Sequence, residues 1–201
     1  MADWLAEFDA SYRFMRVDRA TGAEVSELEG FEGGGSISRN LDTDVYESAS
    51  ATCEGGLDVG ADLVRVYLDA DFGGEVERVA LGTFVPSVPK RDVSSEVDRA
   101  SVSMQGRLSE LAEDAFDAPF SLPAGSDPVA EAAAICRACG LAVSADASAY
   151  RLSTAWTFGL SETSDGEGGS KLRAVNALLG IAGFASAVTD PMGTVLKRRY
   201  A

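Results

Sequence analysis

The sequence predicts a mainly β protein of the α+β class, in which an antiparallel β-barrel or sandwich is followed by a smaller α/β domain. Short runs of alternating apolar and polar residues, separated by turn residues, fill the chain up to Gly106, and helical spacing of apolar residues begins only after it. A chain of 201 residues, 46% of them hydrophobic, has enough apolar material for one large or two small cores.

Hairpin signals dominate the first half. One hairpin is predicted from a strand around Phe14, turn residues at 18–22 and a strand over 24–28. A second is predicted from the runs 63–69 and 76–85 and the turn between them. Further strands are predicted at 36–39, 45–53 and 99–105. Six or seven strands with short turns are typical of an antiparallel sandwich or barrel.

The glycine-rich run from Glu32 to Ser36 is predicted to be a flexible loop. The Lys-Ser or Lys-Thr that completes a P-loop does not follow it, which excludes a phosphate-binding loop of that kind. In the strand after this run, Cys53 falls on the same face as Ala49 and Ala51, so its thiol is predicted to point into the core.

Helical spacing marks the second half. Helices are predicted near residues 108–115, from Ala130 to Cys139 with Gly140 as the stop, and over residues 170–179. The third helix carries an apolar stripe that is predicted to face the core of a second domain: Leu172, Val175, Leu178 and Leu179. Strands are predicted at 151–158, 183–189 and 194–200, with a polar loop at 161–169.

The change of pattern near Leu108 predicts two domains, an antiparallel β domain over residues 1–107 and a helix-containing α/β domain over residues 108–201. The N-terminus lacks the basic start and apolar core of a secretory leader, and no segment has the roughly 18 apolar residues of a membrane span. We therefore expect a soluble protein made in the cytoplasm. The net charge of -15 argues against tight binding to nucleic acid or an anionic membrane.

The chain contains no histidine, which removes the commonest general base and the commonest zinc-site nitrogen. Cys136 and Cys139 form a C-x-x-C pair late on a predicted helix, outside the sequence context of thioredoxin-like sites. One such pair cannot complete a zinc site, so we predict that these thiols are reduced and metal-free, and that Cys53 is a free thiol. The sequence thus predicts no enzyme, no catalytic or metal-binding residue and no cofactor.

The carboxylates have ordinary explanations. Acidic pairs lie in or beside predicted turns, where Asp is common for backbone reasons: Asp42 and Asp44, Asp69 and Asp71, Asp165 and Glu167. None has the spacing of an EF-hand calcium loop. A further acidic group is predicted to lie on a solvated helix face rather than to act as glycosidase carboxylates: Glu110, Glu113 and Asp114.

Several short stretches of the sequence, taken together in their order along the chain, resemble a known protein family. In the first half they are residues 12–17, 35–39, 81–86 (Leu-Gly-Thr-Phe-Val-Pro) and 101–108, which ends in Gly-Arg-Leu. In the second half they are Trp156, the helix at 169–180, Ala182-Gly-Phe184, residues 189–193 (Thr-Asp-Pro-Met-Gly) and a closing strand ending in Tyr200. In this order the stretches resemble the minor tail or baseplate hub proteins of actinobacterial siphophages and prophages.

This resemblance implies a first domain like the phage tail-tube fold, a β-barrel that lines a ring, followed by a small α/β domain. It implies a structural tail-tip protein of the virion that connects the tail tube to the distal tip. The implied partners are further copies in a ring, as a trimer or alternatively a hexamer, together with a distal tail protein and the tape measure. DNA is implied only in transit through the lumen.

Two alternatives stay open from the sequence. One is a non-catalytic β-sandwich module that binds carbohydrate or protein, and the other is a tail-associated cell-wall hydrolase that uses Glu110 or a neighbouring carboxylate. If the first domain lines a channel, acidic side chains would leave DNA mobile, whereas a basic wall would bind phosphate. The carboxylates predicted for such a wall are Asp42, Asp44, Glu47, Asp69 and Asp71.

Overall fold

The computed structural model describes residues 4–54, 59–87, 90–93, 98–144, 148–159 and 169–199, and within them all side chains except those of 32–34, 90–93 and 98. The chain divides into two compact units: unit 1 is residues 1–40 with 47–106, and unit 2 is residues 41–46 with 107–201. This division differs from the predicted one in the segment 41–46, which sequence pattern assigned to the first domain. The segment belongs to unit 2 because Val45 and Tyr46 pack against that unit's core.

Unit 1 is built from antiparallel strands. They are β1 Asp9–Val17, β2 Glu24–Leu28, β3 Phe31–Arg39, β4 Glu47–Glu54, β5 Leu63–Asp71, β6 Val76–Pro86, β7 Lys90–Val93 and β8 Asp98–Gly106. One sheet contains them all in the order β2-β1-β5-β6-β8-β4-β3, with β7 paired to β8. The predicted fold class, mainly β and antiparallel with a helix-containing second part, is confirmed, and the sheet is sandwich-like rather than a closed barrel.

The sheet curls because β2 and β3 are almost one strand. Only Glu29 and Gly30 separate them, yet β2 pairs with β1 and β3 pairs with β4 at the other end of the strand order. Gly30 makes the bend with a φ of 83°, a conformation that glycine adopts without steric cost. The two ends of the strand order therefore meet, and the rings of Phe14 and Phe31 stack with centroids 3.8 Å apart.

The inner face of the curled sheet forms the core of unit 1. Alternate residues of β4 are buried, in agreement with the period of two of a strand with one face inward. Its fully or nearly buried residues come from β4, β5, β6, β8 and the turn before β5: Ala49, Ala51, Cys53, Val59, Val64, Val66, Phe84, Ala100, Val102 and Met104. The inward thiol of Cys53, only 1% exposed, is confirmed.

The prediction of a flexible loop from Glu32 to Ser36 is wrong, since this run lies within β3. Its glycine content suggested a loop, but pairing with β4 overrides that local preference, with Gly35 opposite Ala51 and Ile37 opposite Ala49. Gly35 is also required there, because a Cβ at this position would stand 2.6 Å from the carbonyl oxygen of Ser50.

Unit 2 combines short helices with two-stranded ladders. Its elements are α1 Ser109–Ala112, β9 Phe120–Leu122, α2 Pro128–Ala138, β10 Trp156–Phe158, α3 Lys171–Ile181, β11 Val188–Thr189 and β12 Val195–Leu196. β9 pairs with β10, and β11 pairs with β12. The predicted first helix is only one turn, and the strand predicted at 151–158 is reduced to β10. Most of the loop predicted at 161–169 lies outside the described residues.

The two longer helices begin and pack as the sequence predicts. The Asp127 carboxylate caps α2 by accepting from the backbone N–H groups of Val129 and Ala130, and Pro128 occupies the first turn. The hydroxyl of Ser170 caps α3 in the same way. The predicted apolar stripe is confirmed, since each of its four residues is at most 1% exposed: Leu172, Val175, Leu178 and Leu179.

Candidate functional site

An ion-pair row crosses the outer face of unit 1 from β2 to β6. Asp69 of β5 accepts from Arg78 Nε at 2.6 Å and Nη2 at 2.9 Å, and from Arg13 Nε at 3.2 Å. Arg13 also pairs with Glu27 of β2. Hydrogen bonds from Arg78, and secondarily from Arg13, hold the pKa of Asp69 below its usual value despite the opposing effect of burial.

A second row lies beside the first. The Arg65 guanidinium is buried and donates to Glu24 Oε1 at 3.1 Å and to Thr83 Oγ1 at 2.9 Å. The Tyr67 hydroxyl donates to the same Glu24 oxygen at 2.6 Å. This bond lowers the pKa of Glu24, while burial and the neighbouring Glu24 raise the pKa of Tyr67.

The two rows join three guanidiniums to three carboxylates: Arg13, Arg65 and Arg78 with Glu24, Glu27 and Asp69. A separate ion pair joins Arg16 Nε to Asp62 Oδ2 at 2.6 Å, and the register of Arg16 with Val64 puts Arg16 on the inward side of β1. The arginines of these rows were not singled out from the sequence. Their outward positions follow from the alternation of side chains along a strand: Arg65, for example, lies between the inward Val64 and Val66.

Two of the five carboxylates predicted for a channel wall are not available to solvent. Asp69 is 7% exposed within the ion-pair row, and Glu47 is 1% exposed and 2.7 Å from Arg39 Nε. Asp71 accepts from the N–H groups of Gly73 and Gly74 and so stabilises the turn between β5 and β6. Asp42 and Asp44 lie exposed in the segment 41–46 of unit 2.

A cavity of about 690 Å³ opens between β1 and β3, and we call it the β1–β3 slot. One side is formed by β1 and the other by β3, with β4, β5, β6 and β8 as the floor. Its lining includes Ser11, Tyr12, Phe14, Phe31, Ser36, Ile37, Val66 and Met104. No Asp, Glu, Lys or Arg is among the described residues that line it, although the whole chain carries a net charge of -15.

The C-x-x-C pair of unit 2 lies at the end of α2. Both sulfurs are free thiols, as is that of Cys53. Burial raises the pKa of Cys136 to about 11. Burial, and then the Asp114 carboxylate, also raise the pKa of Cys139, whose Sγ is 3.4 Å from Asp114 Oδ2. Thiols held in the protonated form are poor nucleophiles and poor metal ligands.

The predicted acidic helix face is only partly present. Glu113 is exposed, as predicted. Glu110 is not solvated, since its side chain is 11% exposed and Oε2 accepts from Arg107 Nε at 2.7 Å. Asp114 follows the end of α1 and accepts from Lys171 Nζ at 2.5 Å, which lowers the pKa of the carboxyl. The helix is shorter than predicted, so these side chains do not share one helical face.

Neither metal-ligand groups nor membrane spans are found in the described part of the chain. There, no three or more Cys, Asp or Glu side chains are placed to hold a metal ion. Among the same residues, no helix is long and apolar enough to cross a membrane.

The sequence matches no protein-family model and no curated protein, but its fold is similar to solved structures. One is the 43 kDa tail protein of prophage MuSo2 from Shewanella oneidensis, with a TM-score of 0.61, 12% identity and coverage of 96% of this chain and 54% of that one. Another is the tail protein from Neisseria meningitidis MC58, with a TM-score of 0.57, 14% identity and coverage of 94% and 51%.

A third similar structure is a chain of the lidded Francisella PdpA-VgrG complex, with a TM-score of 0.56, 6% identity and coverage of 96% of this chain and 28% of that one. The chain thus spans about half, or less, of the solved proteins that it matches. At these identities the likeness is one of fold, and it extends over both units. The fold is therefore similar to that of these two tail proteins and of the chain in the PdpA-VgrG complex.

Proposed function

We propose that the protein is a structural component of a bacteriophage or prophage tail, specifically a hub or minor tail protein whose ring connects the tail tube to the distal tip. The observation that carries the proposal is the fraction of the chain over which its fold is similar to that of tail proteins. Between 94% and 96% of the chain aligns with two tail proteins from different bacteria, so the likeness that supports the proposal is not confined to one part of the chain.

In this proposal residues 1–107 form a tail-tube-like domain that lines the ring, and residues 108–201 form an α/β domain. The ring is a trimer, with a hexamer as the alternative, and it contacts a distal tail protein and the tape measure. The hub is assembled in the host cytoplasm, and DNA meets it only in transit. The likeness of the chain to hub proteins of actinobacterial siphophages belongs to the same proposal.

The protein has no catalytic role in this proposal. Glu110, the carboxylate considered for a cell-wall hydrolase, is ion-paired with Arg107 and largely buried. The rival hydrolase predicts that the purified protein clears a zymogram of host cell wall and that Glu110→Ala abolishes the clearing. If the protein is structural, neither the unaltered protein nor the Glu110→Ala variant clears the zymogram.

The ring is tested by co-expressing the protein with the products of the adjacent tail genes. Native mass spectrometry is expected to show three or six copies of the chain in one complex, and negative-stain electron microscopy is expected to show a ring with a central channel. A chain that stays monomeric and joins no tail protein would overturn the proposal. Such a monomer that instead bound a glycan or an unrelated protein would support the binding-module alternative.

The sign of the charge on the channel wall can be tested. Because Asp69 and Glu47 are paired with arginines, an acidic wall in this proposal requires that the exposed Asp42 and Asp44, in the segment 41–46 that belongs to unit 2, also face the channel. A structure of the assembled ring with these side chains on the channel supports an acidic wall. A neutral or basic channel, with the carboxylates outside, leaves the net charge as a means of keeping the chain soluble before assembly.

A further inference from the structure

An aromatic cluster lies at the turn between β5 and β6, next to the start of β1, and we call it the aromatic tip. It consists of Trp4, Phe8 and Phe72, whose ring centroids are 5.5, 5.4 and 5.2 Å apart in the three pairs. Trp4 is 42% exposed, and the neighbouring Leu5 is 97% exposed. Single exposed apolar side chains are common on protein surfaces, but neighbouring ones are typical of a contact surface.

Carboxylates lie next to the aromatic tip. Asp9 follows Phe8 and is directly opposite Asp71, the residue before Phe72. The backbone N–H of Phe72 donates to the carbonyl oxygen of Glu75 at 3.0 Å, which brings Glu75 beside the tip. Glu7 precedes Phe8 and is exposed, as are Asp9 and Glu75. The tip therefore combines exposed apolar side chains with four adjacent carboxylates: Glu7, Asp9, Asp71 and Glu75.

These four carboxylates form no ion pair within the described part of the chain. The arginines on the same strands, Arg13 and Arg78, are paired with Asp69 instead. Lys90 and Arg91 are the only cations whose side chains are not described. They lie on β7, which pairs with residues 98–101 of β8, beyond the end of β6 that is remote from the turn. The tip thus keeps its negative charge, unlike the ion-pair rows.

We infer that the aromatic tip is a docking site for a segment of another protein that carries apolar side chains flanked by lysine or arginine. The apolar side chains cover Trp4 and Leu5, and the flanking cations pair with the carboxylates beside them, in the pattern of an apolar centre with a polar rim. The inference goes beyond the proposed tail function and does not depend on it, since it concerns a surface of unit 1 alone.

Charge selects this partner over the alternatives. Nucleic acid and anionic membranes are repelled by the carboxylates of the tip. A second copy of this chain carries the same acidic tip and the same net charge of -15, so two copies repel each other at long range. A cationic segment is instead attracted, and its apolar side chains gain from burial against the rings.

The test uses the full-length protein and a blocked heptapeptide, Lys-Lys-Leu-Phe-Leu-Lys-Lys. Saturable binding is expected in NMR titrations, with shifts of the Trp4 indole N–H and of the amides from Phe72 to Glu75. One matched peptide has glutamate in place of lysine, and another has serine in place of the three apolar residues. Each should bind at least about tenfold more weakly. Equal binding of the serine peptide, saturation without shifts at the tip, or no binding at all would overturn the inference.

A pair of variants tests the apolar contact. Trp4→Ala is expected to weaken the Leu-Phe-Leu peptide about tenfold, because it removes the exposed ring of the tip. Tyr150→Ala, which removes an aromatic ring at a 41% exposed position of unit 2, should leave binding unchanged. The spectrum outside the tip should stay that of the unaltered chain in both variants. Equal binding by the two variants would contradict a contact with Trp4.

A second pair separates the charge of the tip from the charge of the whole chain. Glu7→Gln combined with Glu75→Gln should weaken the peptide and reduce the dependence of its affinity on salt. Glu113→Gln combined with Asp117→Asn removes the same charge at exposed positions of unit 2 and should change both much less. Equal effects would show attraction to net charge alone and contradict the inference. Shifts at the tip that grow with protein concentration, without peptide, would contradict it by showing a second copy as the occupant.

Discussion

Asp69 illustrates how single side chains in unit 1 are held. Its carboxylate lies on the outer face of the sheet yet is only 7% exposed, and it accepts three hydrogen bonds from Arg78 and Arg13. The arrangement offsets the cost of removing the carboxylate from water. The number of carboxylates on this face therefore overstates its net negative charge, because paired arginines neutralise some of them.

Replacing this carboxylate should destabilise the fold. Asp69→Asn is expected to lower the free energy of unfolding at pH 7 by about 1–3 kcal/mol, because two charge-assisted donors lose their acceptor. The folded-state pKa lies below the unfolded value, so the contribution is present above about pH 3.9 and is lost as the pH falls through the folded pKa. Urea unfolding from pH 7 to pH 3 measures it.

The matched control is Asp9→Asn, an exposed carboxylate on β1. Its effect should stay within about 0.5 kcal/mol at every pH. A difference between Asp69→Asn and the unaltered protein that grew toward low pH would contradict the assigned ion pairs.

The buried thiols allow a second measurement at this scale. With the pKa of Cys136 raised to about 11 and Cys53 in the core, iodoacetamide at pH 8 should leave both unmodified in the folded protein and modify them after unfolding. Peptide mass spectrometry reads the outcome. Rapid alkylation of Cys136 in the native state, or stoichiometric zinc by elemental analysis, would show that the thiols are not inert.

Among the elements, α3 forms the centre of unit 2. Leu178 is fully buried in its core, so Leu178→Ala is expected to reduce the free energy of unfolding by about 2–5 kcal/mol through lost burial and the cavity left behind. Arg173→Ala, on the exposed side of the same helix, is the control and should change it by less than about 0.5 kcal/mol. Equal effects in thermal or urea unfolding would contradict the assigned orientation of the helix.

The segment 41–46 is an element that only the structure assigns to unit 2. The Tyr46 hydroxyl donates to the carbonyl oxygen of Thr189 at 2.5 Å. Tyr46→Phe should therefore destabilise the protein by about 0.5–1.5 kcal/mol, measured by urea unfolding. Tyr150→Phe, at a 41% exposed position, should have no measurable effect. A neutral Tyr46→Phe would contradict a contribution of this hydrogen bond to stability.

Sequence pattern predicted elements well where local signals and long-range contacts agree. The alternation of β4 and the stripe of α3 each reflect one buried face, and the structure confirms both. The prediction failed for Glu32 to Ser36, because pairing with β4 decides the conformation of that run. It overstated the first helix, which is a single turn, and the strand at 151–158, of which only the three residues of β10 pair with β9.

At the scale of the whole molecule, the interaction features depend on contacts that no local pattern reveals. The β1–β3 slot exists because β2 and β3, two residues apart, pair with opposite ends of the strand order. The ion-pair rows join strands that lie far apart in the sequence, as in the pair of Arg13 with Asp69. The sequence alone predicted a β domain followed by an α/β domain, and it resembles tail proteins. It did not predict which edge of the sheet stays open.

The most direct test of the tail assignment is immunogold electron microscopy of purified phage or prophage particles with antibodies against this chain. We expect gold at the distal end of the tail, and particles from a strain lacking the gene should be unlabelled and should lack assembled tails. Intact, infectious tails in the absence of the gene, with the protein found only outside the particles, would contradict a structural role in the tail.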